Sequence, residues 1–397
     1  MGDTDFIVCR TSHMRGFVSS FQGRVAALPS DLTSAAKAVL RRHGVVGLLR
    51  TMSGDGDPVI AELAERNLKR RQLRFRAVFS NPLVAFFYRR ATRIRCRLIA
   101  AAFAGWLDEN PKASVVVFNG YLMPDSILSA VAKGRKRQMV FLEKGFFPGT
   151  LQCDPNGINH QSTLPRDPDF YRHFDPADLG EKPTALVKRQ SKLKDDGPAS
   201  LPGRYVFVPF QVPSDMQILA LSPWIRDMRH LHDEIYRLAE AEGQSHFVIK
   251  EHPSFPLSIR PEVKPHPRIH FANHHDTQAL IERADAVITV NSTVGLESVL
   301  LGKKVITLGL SPYDIEGLVL KAVNAAELLS AFSTLDAWSP DAELRERVIR
   351  YIHNVFLLKG ELKNPDPRLP DMIAARLGGT DRHGQAVAAF AAAKRGS

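Results

Sequence analysis

The chain has 397 residues, a hydrophobic content of 44% and a formal net charge of +11. Its length exceeds one typical α/β domain and its composition is that of a globular protein, so two domains with separate cores are expected. Three widely spaced cysteines argue against a disulfide framework and a zinc site, and fit a reducing compartment. The sequence shows neither an apolar leader nor an apolar run as long as a membrane span, so a cytoplasmic location is expected.

The positive charge is concentrated in residues 66–97, which hold eleven Lys or Arg and no acid. Aromatic and aliphatic residues are interleaved with these cations. A stretch of this kind is typical of a segment that binds an anionic bilayer surface or a polyanion. A solvated helical face over a core stripe explains the composition equally well. Nucleic acid is a weaker interpretation, because no nucleic-acid-binding signature accompanies the charge.

The first half of the chain predicts a Rossmann-like domain built around one βαβ unit. The expected elements are helices over 33–50 and 84–108, a strand over 114–120, a helix over 126–134 and a strand over 138–145. Residues 1–60 are otherwise poorly patterned, and the first hundred residues show no clear N-terminal strand. The stretch 146–171 is dense in Pro, Gly, Asn and Asp, which predicts a long irregular loop of the kind that often has a function.

The second half predicts another α/β domain after a charged linker over 181–203. Its expected elements are strands over 204–211, 246–250, 286–290 and 304–308 and helices over 225–242, 277–283 and 294–301. A helical region over 323–358 follows, and the Ala-rich end (385–397) is either a terminal helix or frayed. The fold class is therefore α/β with two Rossmann-like domains: 1–195, 204–345, and C-terminal helices or tail over 346–397.

Two motifs in the second domain suit an anion. In DAVITVNSTVGLESVLLGKKVITLG a strand, a polar turn, a helix and a strand follow one another, and Ser292 and Thr293 lie where a helix N-terminus offers N–H groups. In SHFVIKEHP, Lys250 and His252 end a neighbouring strand and add cationic donors. Because ligands bind at the carboxyl ends of parallel strands, these residues predict a site for a nucleotide phosphate.

The order of these motifs resembles the capsule polysaccharide β-Kdo transferase family. PFQVPSD, KEHP and NSTVGLE occur in this order, preceded by E-x-G after a strand and by a D-P-N-G-I-N loop, and the resemblance covers roughly residues 114–320. It implies a GT-B fold with a cleft between two Rossmann-like domains, CMP-Kdo as the donor and an acceptor on the N-terminal domain. CMP leaves with a single phosphate group, so neither a metal nor another cofactor is expected, and no DxD motif stands at a convincing strand end.

The resemblance assigns roles to several of these residues. Asp215 would be the nucleophile of a retaining double displacement, and Glu143 would act as the acid/base partner. Capping of a helix is the alternative for Asp215, and an ion pair is the alternative for Glu143. Gln211 would orient a ligand by hydrogen bonding.

The donor-binding residues carry alternatives of their own. His252 would contact the CMP phosphate, and Lys250 would contact the phosphate or the sugar carboxylate, although Pro253 could merely end the strand and leave His252 in a loop. Ser292 and Thr293 would bind phosphate while capping the helix. Glu297 would reach ribose hydroxyls, or it could be an acid that faces solvent or complements the helix dipole.

A third group of residues could line the acceptor or Kdo pocket. They are Asn119 after the first domain's first strand, and Asp154, Asn156 and Asn159 in the long loop. Asn and Asp also form turns, and turn formation is the simpler interpretation for any one of them.

The resemblance therefore implies a transferase that moves Kdo from CMP-Kdo to a lipid-linked acceptor, phosphatidylglycerol or its Kdo primer. It would act as a peripheral enzyme at the cytoplasmic face of the inner membrane, with an anionic surface and other capsule assembly proteins as further partners and no nucleic acid. The alternatives are another CMP-sugar transferase of the sialyl type and a non-catalytic capsule assembly or export factor.

Overall fold

The computed structural model describes residues 4–54, 56–187, 200–255 and 257–396. These residues divide into two compact units. The first unit comprises the described parts of Met1–Gly145, Gly149–Thr163 and Leu357–Ser397, and the second comprises those of Phe146–Pro148 and Leu164–Phe356. The predicted domain boundaries differ from this division, since 164–187 belongs to the second unit and 357–396 returns to the first.

The strands are short and are distributed over both units. In chain order they are β1 (Phe6–Cys9), β2 (Val25–Leu28), β3 (Ser114–Phe118), β4 (Met139–Lys144), β5 (Thr150–Asp154), β6 (Val206–Pro209), β7 (Phe247–Lys250), β8 (Ile269–Phe271), β9 (Ala286–Thr289), β10 (Lys304–Thr307), β11 (Leu320–Lys321) and β12 (Leu358–Lys359).

The helices lie between these strands, singly or several in succession, and at the C-terminal end of the described chain. They are α1 (Arg15–Ser20), α2 (Leu32–Ser53), α3 (Pro58–Arg74), α4 (Arg76–Phe79), α5 (Pro82–Glu109), α6 (Asp125–Gly134), α7 (Pro168–Arg172), α8 (Met216–Leu219), α9 (Met228–Glu242), α10 (Thr277–Arg283), α11 (Thr293–Leu300), α12 (Ala325–Ser333), α13 (Ala342–Tyr351), α14 (Leu369–Leu377) and α15 (Arg382–Gly396). Two 3-10 turns, Asn159–Gln161 and Arg260–Glu262, and a π-helical turn, Ile352–Phe356, complete the described elements.

The second unit is a doubly wound sheet in the strand order β8-β7-β6-β9-β10-β11. All five strand pairs are parallel. The chain starts at β6, adds strands outward to β8, and then returns to β9 on the other side of β6. This reversal creates a topological switch point between β6 and β9, where ligands bind in open α/β sheets.

The first unit has a second switch point. Its sheet has the order β12-β5-β4-β3-β1-β2, in which β2, β1, β3 and β4 are parallel and β5 and β12 are antiparallel. The strand order reverses between β1 and β3. Both units are therefore Rossmann-like, which confirms the predicted α/β class.

Helix α9 shows how local sequence produces this packing. Its apolar residues recur at helical spacing, and Leu231, Ile235 and Leu238 are buried in the core against the sheet. Burying each such side chain stabilises the fold by about 2 kcal/mol. Asp227 caps the helix by accepting the His230 N–H at 2.9 Å. Gly243 ends it in the left-handed conformation with φ 62°.

Most predicted elements are present, but two expectations are wrong. The first hundred residues do contain strands: β1 lies between β2 and β3, and all four of its residues are buried. A four-residue run is too short for periodicity to identify. The stretch 146–171 contains β5 and α7, because buried hydrogen bonds satisfy the polar residues of β5. In the predicted linker, 181–187 and 200–203 form no helix or strand, and 188–199 lies outside the described residues.

Candidate active site

Three predicted donor-site loops leave the same edge of the second unit's sheet. Strand β6 lies between β7 and β9, and all three are parallel. Gln211 follows β6, Lys250 ends β7, and Ser292 follows β9. Neighbouring strands are about 4.8 Å apart, so the three strand ends lie side by side at the switch point.

A buried amide pair joins two of these loops. Gln211 Nε2 donates to Asn291 Oδ1 at 2.9 Å, and the Asn291 backbone N–H donates to Gln211 Oε1 at 3.2 Å. Asn291 Nδ2 also donates to the carbonyls of Gln217 and Leu221, at 2.8 and 3.0 Å. Asn291 is 1% exposed, so these bonds are made away from water and hold the loop after β6 against the turn after β9. Asn291 was not predicted as a site residue.

Asp215 is the N-cap of α8. Its side chain is exposed, and it accepts the Gln217 N–H at 3.1 Å. The predicted capping role is therefore seen in the structure. Capping is compatible with chemistry, because the bond uses one carboxylate oxygen and the cap fixes where the group lies relative to the strand end.

Ser292 is the N-cap of α11, with its Oγ accepting the Val294 N–H at 3.2 Å. The Ser292 carbonyl accepts a hydrogen bond from the hydroxyl of buried Tyr313. Gly295 makes this contact possible, because a Cβ there would lie 2.2 Å from the Tyr313 hydroxyl oxygen. Ser292 and Thr293 are half-buried at the first turn of the helix, where N–H groups and the helix dipole favour an anion.

Lys250 and its neighbour Glu251 are buried and hold loops together. The Lys250 ammonium donates to the carbonyls of Asn273, at 2.8 Å, and His275. The Glu251 carboxylate accepts from Ser258, Ile259 and Asn273 at 2.6 to 2.7 Å. The structure thus gives Lys250 a role in fixing the loop after β8, and its predicted phosphate contact stays a prediction.

His252 is half-buried and has a defined ring orientation. Its Nδ1 accepts the Ser254 N–H at 3.2 Å, and the Ser254 Oγ lies 2.8 Å from the same atom. When the ring is neutral, the proton is therefore on Nε2. An Nε2–H group is a donor suited to a phosphate oxygen.

Glu297 lies on the second turn of α11 and is 1% exposed. Its Oε1 accepts the Val187 N–H at 3.2 Å. This contact draws segment 181–187 of the second unit over the helix. The solvent-facing alternative is thereby wrong, while the predicted contact with ribose stays a prediction.

In the first unit, Glu143 and Asn119 meet at the ends of β4 and β3. Asn119 Nδ2 donates to Glu143 Oε2 at 2.7 Å, and the Lys144 N–H donates to Glu143 Oε1 at 2.9 Å. Asn119 has the left-handed φ of 63°, which Asn tolerates better than most residues. Glu143 is half-buried and both of its oxygens are oriented, so a carboxylate of fixed geometry lies at this sheet edge.

Two residues beside this pair were not predicted. Asp125 is buried and accepts the Phe118 N–H at 2.9 Å. Burial raises the pKa of its carboxyl from 3.8 to about 7, and the neighbouring Glu143 carboxylate adds to the rise. His13, which follows β1, stacks on Phe118 with ring centroids 4.5 Å apart. A helix-starting Asp and a lone His gave no sequence signal.

The residues predicted for the acceptor pocket separate into different environments. Asp154 is fully buried and accepts the N–H groups of Asn156, Gly157 and Thr163 at 2.8 to 3.3 Å. Asn159 is buried and pairs with Gln152 through bonds of 2.8 and 3.2 Å. These contacts fit the turn-forming interpretation. Asn156 is exposed.

Comparisons with known proteins place the chain in a family. A family model described as "Capsule polysaccharide biosynthesis protein" matches residues 181–362. Protein FixF of Sinorhizobium fredii (strain NBRC 101917 / NGR234) is 42% identical over 317 residues, which cover 79% of this chain and 77% of FixF. The chain belongs to the capsule polysaccharide biosynthesis protein family.

More distant members and structures are also similar. The capsule polysaccharide export protein KpsS of Escherichia coli is 25% identical over 255 residues, covering 47% of this chain and 64% of KpsS. Among solved structures, the Thermosulfurimonas dismutans KpsC β-Kdo 2,7 transferase superposes with a TM-score of 0.47 at 15% identity, covering 94% of this chain and 99% of that one.

Replacing Asn291 with Asp tests the hydrogen-bonded pair of Gln211 and Asn291, here termed the amide clamp. The carboxylate would face the carbonyls of Gln217 and Leu221, to which the amide donates. We expect the free energy of unfolding to fall by about 2–4 kcal/mol, because a buried charge meets two acceptors. Urea denaturation followed by circular dichroism measures this. Asn156→Asp, the same change at an exposed position, should have little effect; equal losses in both variants would contradict the clamp.

Asp125 should make stability depend on pH. Because its pKa is 3.8 when unfolded and about 7 when folded, its protonated form favours the folded state. Its contribution is full below pH 4 and is lost as pH rises toward 7, a change of roughly 4 kcal/mol. Asp125→Asn should remove this decline. The free energy of unfolding of the variant, relative to that of the wild type, should therefore be higher at pH 8 than at pH 5. The exposed Asp233→Asn is the control, and a wild-type pH dependence in Asp125→Asn would refute the assignment.

Proposed function

We propose that this chain is a glycosyltransferase that moves Kdo from CMP-Kdo to a lipid-linked acceptor in capsule polysaccharide biosynthesis, with retention. The carrying observation is the second unit's switch point, where Asp215, His252 and Ser292 follow three adjacent parallel strands. Family membership supports the pathway. No metal is required in this proposal, because a helix N-terminus and donor side chains can stabilise the single phosphate.

The donor would be held by the phosphate of CMP. The half-buried N-terminal turn of α11 supplies N–H groups and the Ser292 and Thr293 hydroxyls, and His252 supplies an Nε2–H donor. These groups favour the phosphate more strongly as its charge grows when CMP departs. Because they bind the departing phosphate more strongly than the phosphate of intact CMP-Kdo, they lower the activation barrier of the transfer.

The transfer would proceed in two displacements. The Asp215 carboxylate attacks the anomeric carbon of Kdo, the bond from that carbon to the phosphate oxygen breaks, and CMP leaves with the electron pair. An acceptor hydroxyl then attacks the same carbon while its proton passes to Glu143, and the bond to Asp215 breaks to restore the carboxylate. Two inversions give net retention.

The acceptor would be phosphatidylglycerol or its Kdo primer. A lipid-linked acceptor requires the enzyme to work at the cytoplasmic face of the inner membrane, with other capsule assembly proteins as further partners. Among the described helices, none is both long enough and apolar enough to cross a bilayer. We propose that the enzyme reaches its acceptor by binding the bilayer surface peripherally.

Asp215→Ser separates catalysis from capping. Ser caps a helix about as well as Asp, so stability should stay within about 1 kcal/mol of wild type. Loss of the nucleophile should reduce transfer at least about 10³-fold. The assay is CMP release and product formation with CMP-Kdo, together with the intact mass of the wild-type protein, which should gain one Kdo residue on Asp215.

Asp31→Ser is the matched control, because Asp31 caps α2 by accepting the Ser34 N–H at 2.8 Å. It should retain full activity. If Asp215→Ser were active near the wild-type rate, Asp215 would not be the nucleophile. Release of CMP from CMP-sialic acid but not from CMP-Kdo would show that the donor is CMP-sialic acid. Release of CMP from neither compound would favour a non-catalytic assembly factor.

Ser292→Asp tests the phosphate site without removing the cap. Asp also accepts the Val294 N–H, so the melting temperature should not fall, but its negative charge should repel the phosphate. We expect the dissociation constant for CMP, measured by titration calorimetry, to rise at least about tenfold. Ser292→Thr should bind CMP almost as well as wild type. Unchanged affinity in Ser292→Asp would exclude phosphate from this helix end.

A further inference from the structure

The cations of residues 66–97 fall into two groups. Some pair within the unit: Arg66 with Glu62, Arg89 and Arg93 with Glu65, and Arg97 with the Met52 carbonyl. In the described part of the chain, six others are exposed and form no ion pair with an acid: Lys69, Arg71, Arg74, Arg76, Arg90 and Arg95. The sequence alone could not separate these groups.

Helices α3 and α5 form an antiparallel hairpin that is closed by α4. Glu65 contacts Arg89, while Gln72 Nε2 donates to the Phe79 carbonyl at 3.2 Å. The Phe79 and Tyr88 rings lie edge to face with centroids 5.0 Å apart, and the Tyr88 hydroxyl donates to Asn67. These contacts fix the inner side of the hairpin. Residues 74–87, here termed the tip, make up its closed end.

The outer side of the tip is apolar and open to solvent. Six large hydrophobic side chains in this span are 37–70% exposed: Phe75, Val78, Leu83, Val84, Phe86 and Phe87. Leu83, Phe86 and Phe87 are three and four positions apart, so they share one face of α5. Exposing so many apolar groups together is unfavourable in water and marks a surface that binds a partner.

We propose that the tip inserts its apolar side chains into an anionic lipid bilayer, while the surrounding unpaired cations bind the lipid head groups. Charge complementarity selects this partner. Apolar side chains reach the acyl boundary, and flanking Lys and Arg remain at the level of the phosphates. A nucleic acid would use the cations, but it gains little from exposed Leu and Val.

This surface deepens the proposed function, since a transferase with a lipid-linked acceptor must reach the bilayer. Its test needs no nucleotide sugar, so it can fail independently of the transferase. The experiment is co-sedimentation of the full chain with vesicles of phosphatidylcholine alone or with 30% phosphatidylglycerol. We expect binding to the anionic vesicles only, and weaker binding at high salt.

Two tip variants separate the apolar and charged contributions. Phe86→Ser/Phe87→Ser should weaken partition into anionic vesicles about tenfold or more, because two aromatic rings that would enter the bilayer are lost. Arg74→Gln/Arg76→Gln should weaken it about 25-fold, since each cation near the surface contributes about fivefold. Circular dichroism should show unchanged helicity in both.

Matched controls lie on α2, in the same unit. Val45 and Val46 are 63% and 71% exposed, so Val45→Ser/Val46→Ser removes apolar surface elsewhere. Lys37→Gln/Arg41→Gln removes two exposed cations. Both should bind like wild type. Equal binding to neutral vesicles, or tip variants no weaker than these controls, would overturn the proposal. Loss in the charge variant with no loss in Phe86→Ser/Phe87→Ser would indicate a general polyanion surface instead.

Discussion

The candidate site depends on a pair of buried amides. Gln211 and Asn291 lie in the loops that follow the neighbouring strands β6 and β9, at the point where the strand order reverses, and each donates to the other. The loops beside an open crevice at a switch point are not held by strand pairing, so other interactions must fix their positions. Two amides provide it without introducing a charge, and their polarity is satisfied away from water. The positions of Asp215 and Ser292 both follow from this clamp.

Around the clamp, the polar residues at the strand ends are of two kinds. Some are buried and hold loops in place, and others are open to solvent and can contact a ligand. Lys250, Glu251 and Glu297 are almost fully buried and are engaged by the protein's own backbone groups. Asp215, His252 and Ser292 are at least partly open to solvent, and each is oriented by a hydrogen bond within its own loop. A ligand can compete for groups of the second kind at lower cost.

The first unit repeats this design with carboxylates. Glu143 is oriented at the sheet edge by Asn119, and Asp125 lies buried beside it with its pKa raised to about 7. A carboxyl whose pKa is raised by burial can hold its proton near neutral pH, which is a property that general acid/base chemistry uses. The hairpin of α3 and α5 adds a different feature, in which packing consumes some of the basic residues and leaves others exposed around an apolar tip.

Sequence by itself determined the α/β class, many of the helices, half of the described strands, and the nature of the groups at the strand ends, because periodicity and turn chemistry are local. It missed β1, since four apolar residues carry no period, and β5, since Gln152 and Asp154 read as loop residues until their buried partners are known. Only the tertiary structure decided which Lys and Glu residues hold loops in place and which cations form no ion pair. It alone also showed that Asn291 joins two site loops and that Asp125 is a buried acid. Those properties depend on residues as much as 110 positions away, such as Val187 from Glu297, and on exclusion of water, neither of which a linear pattern contains.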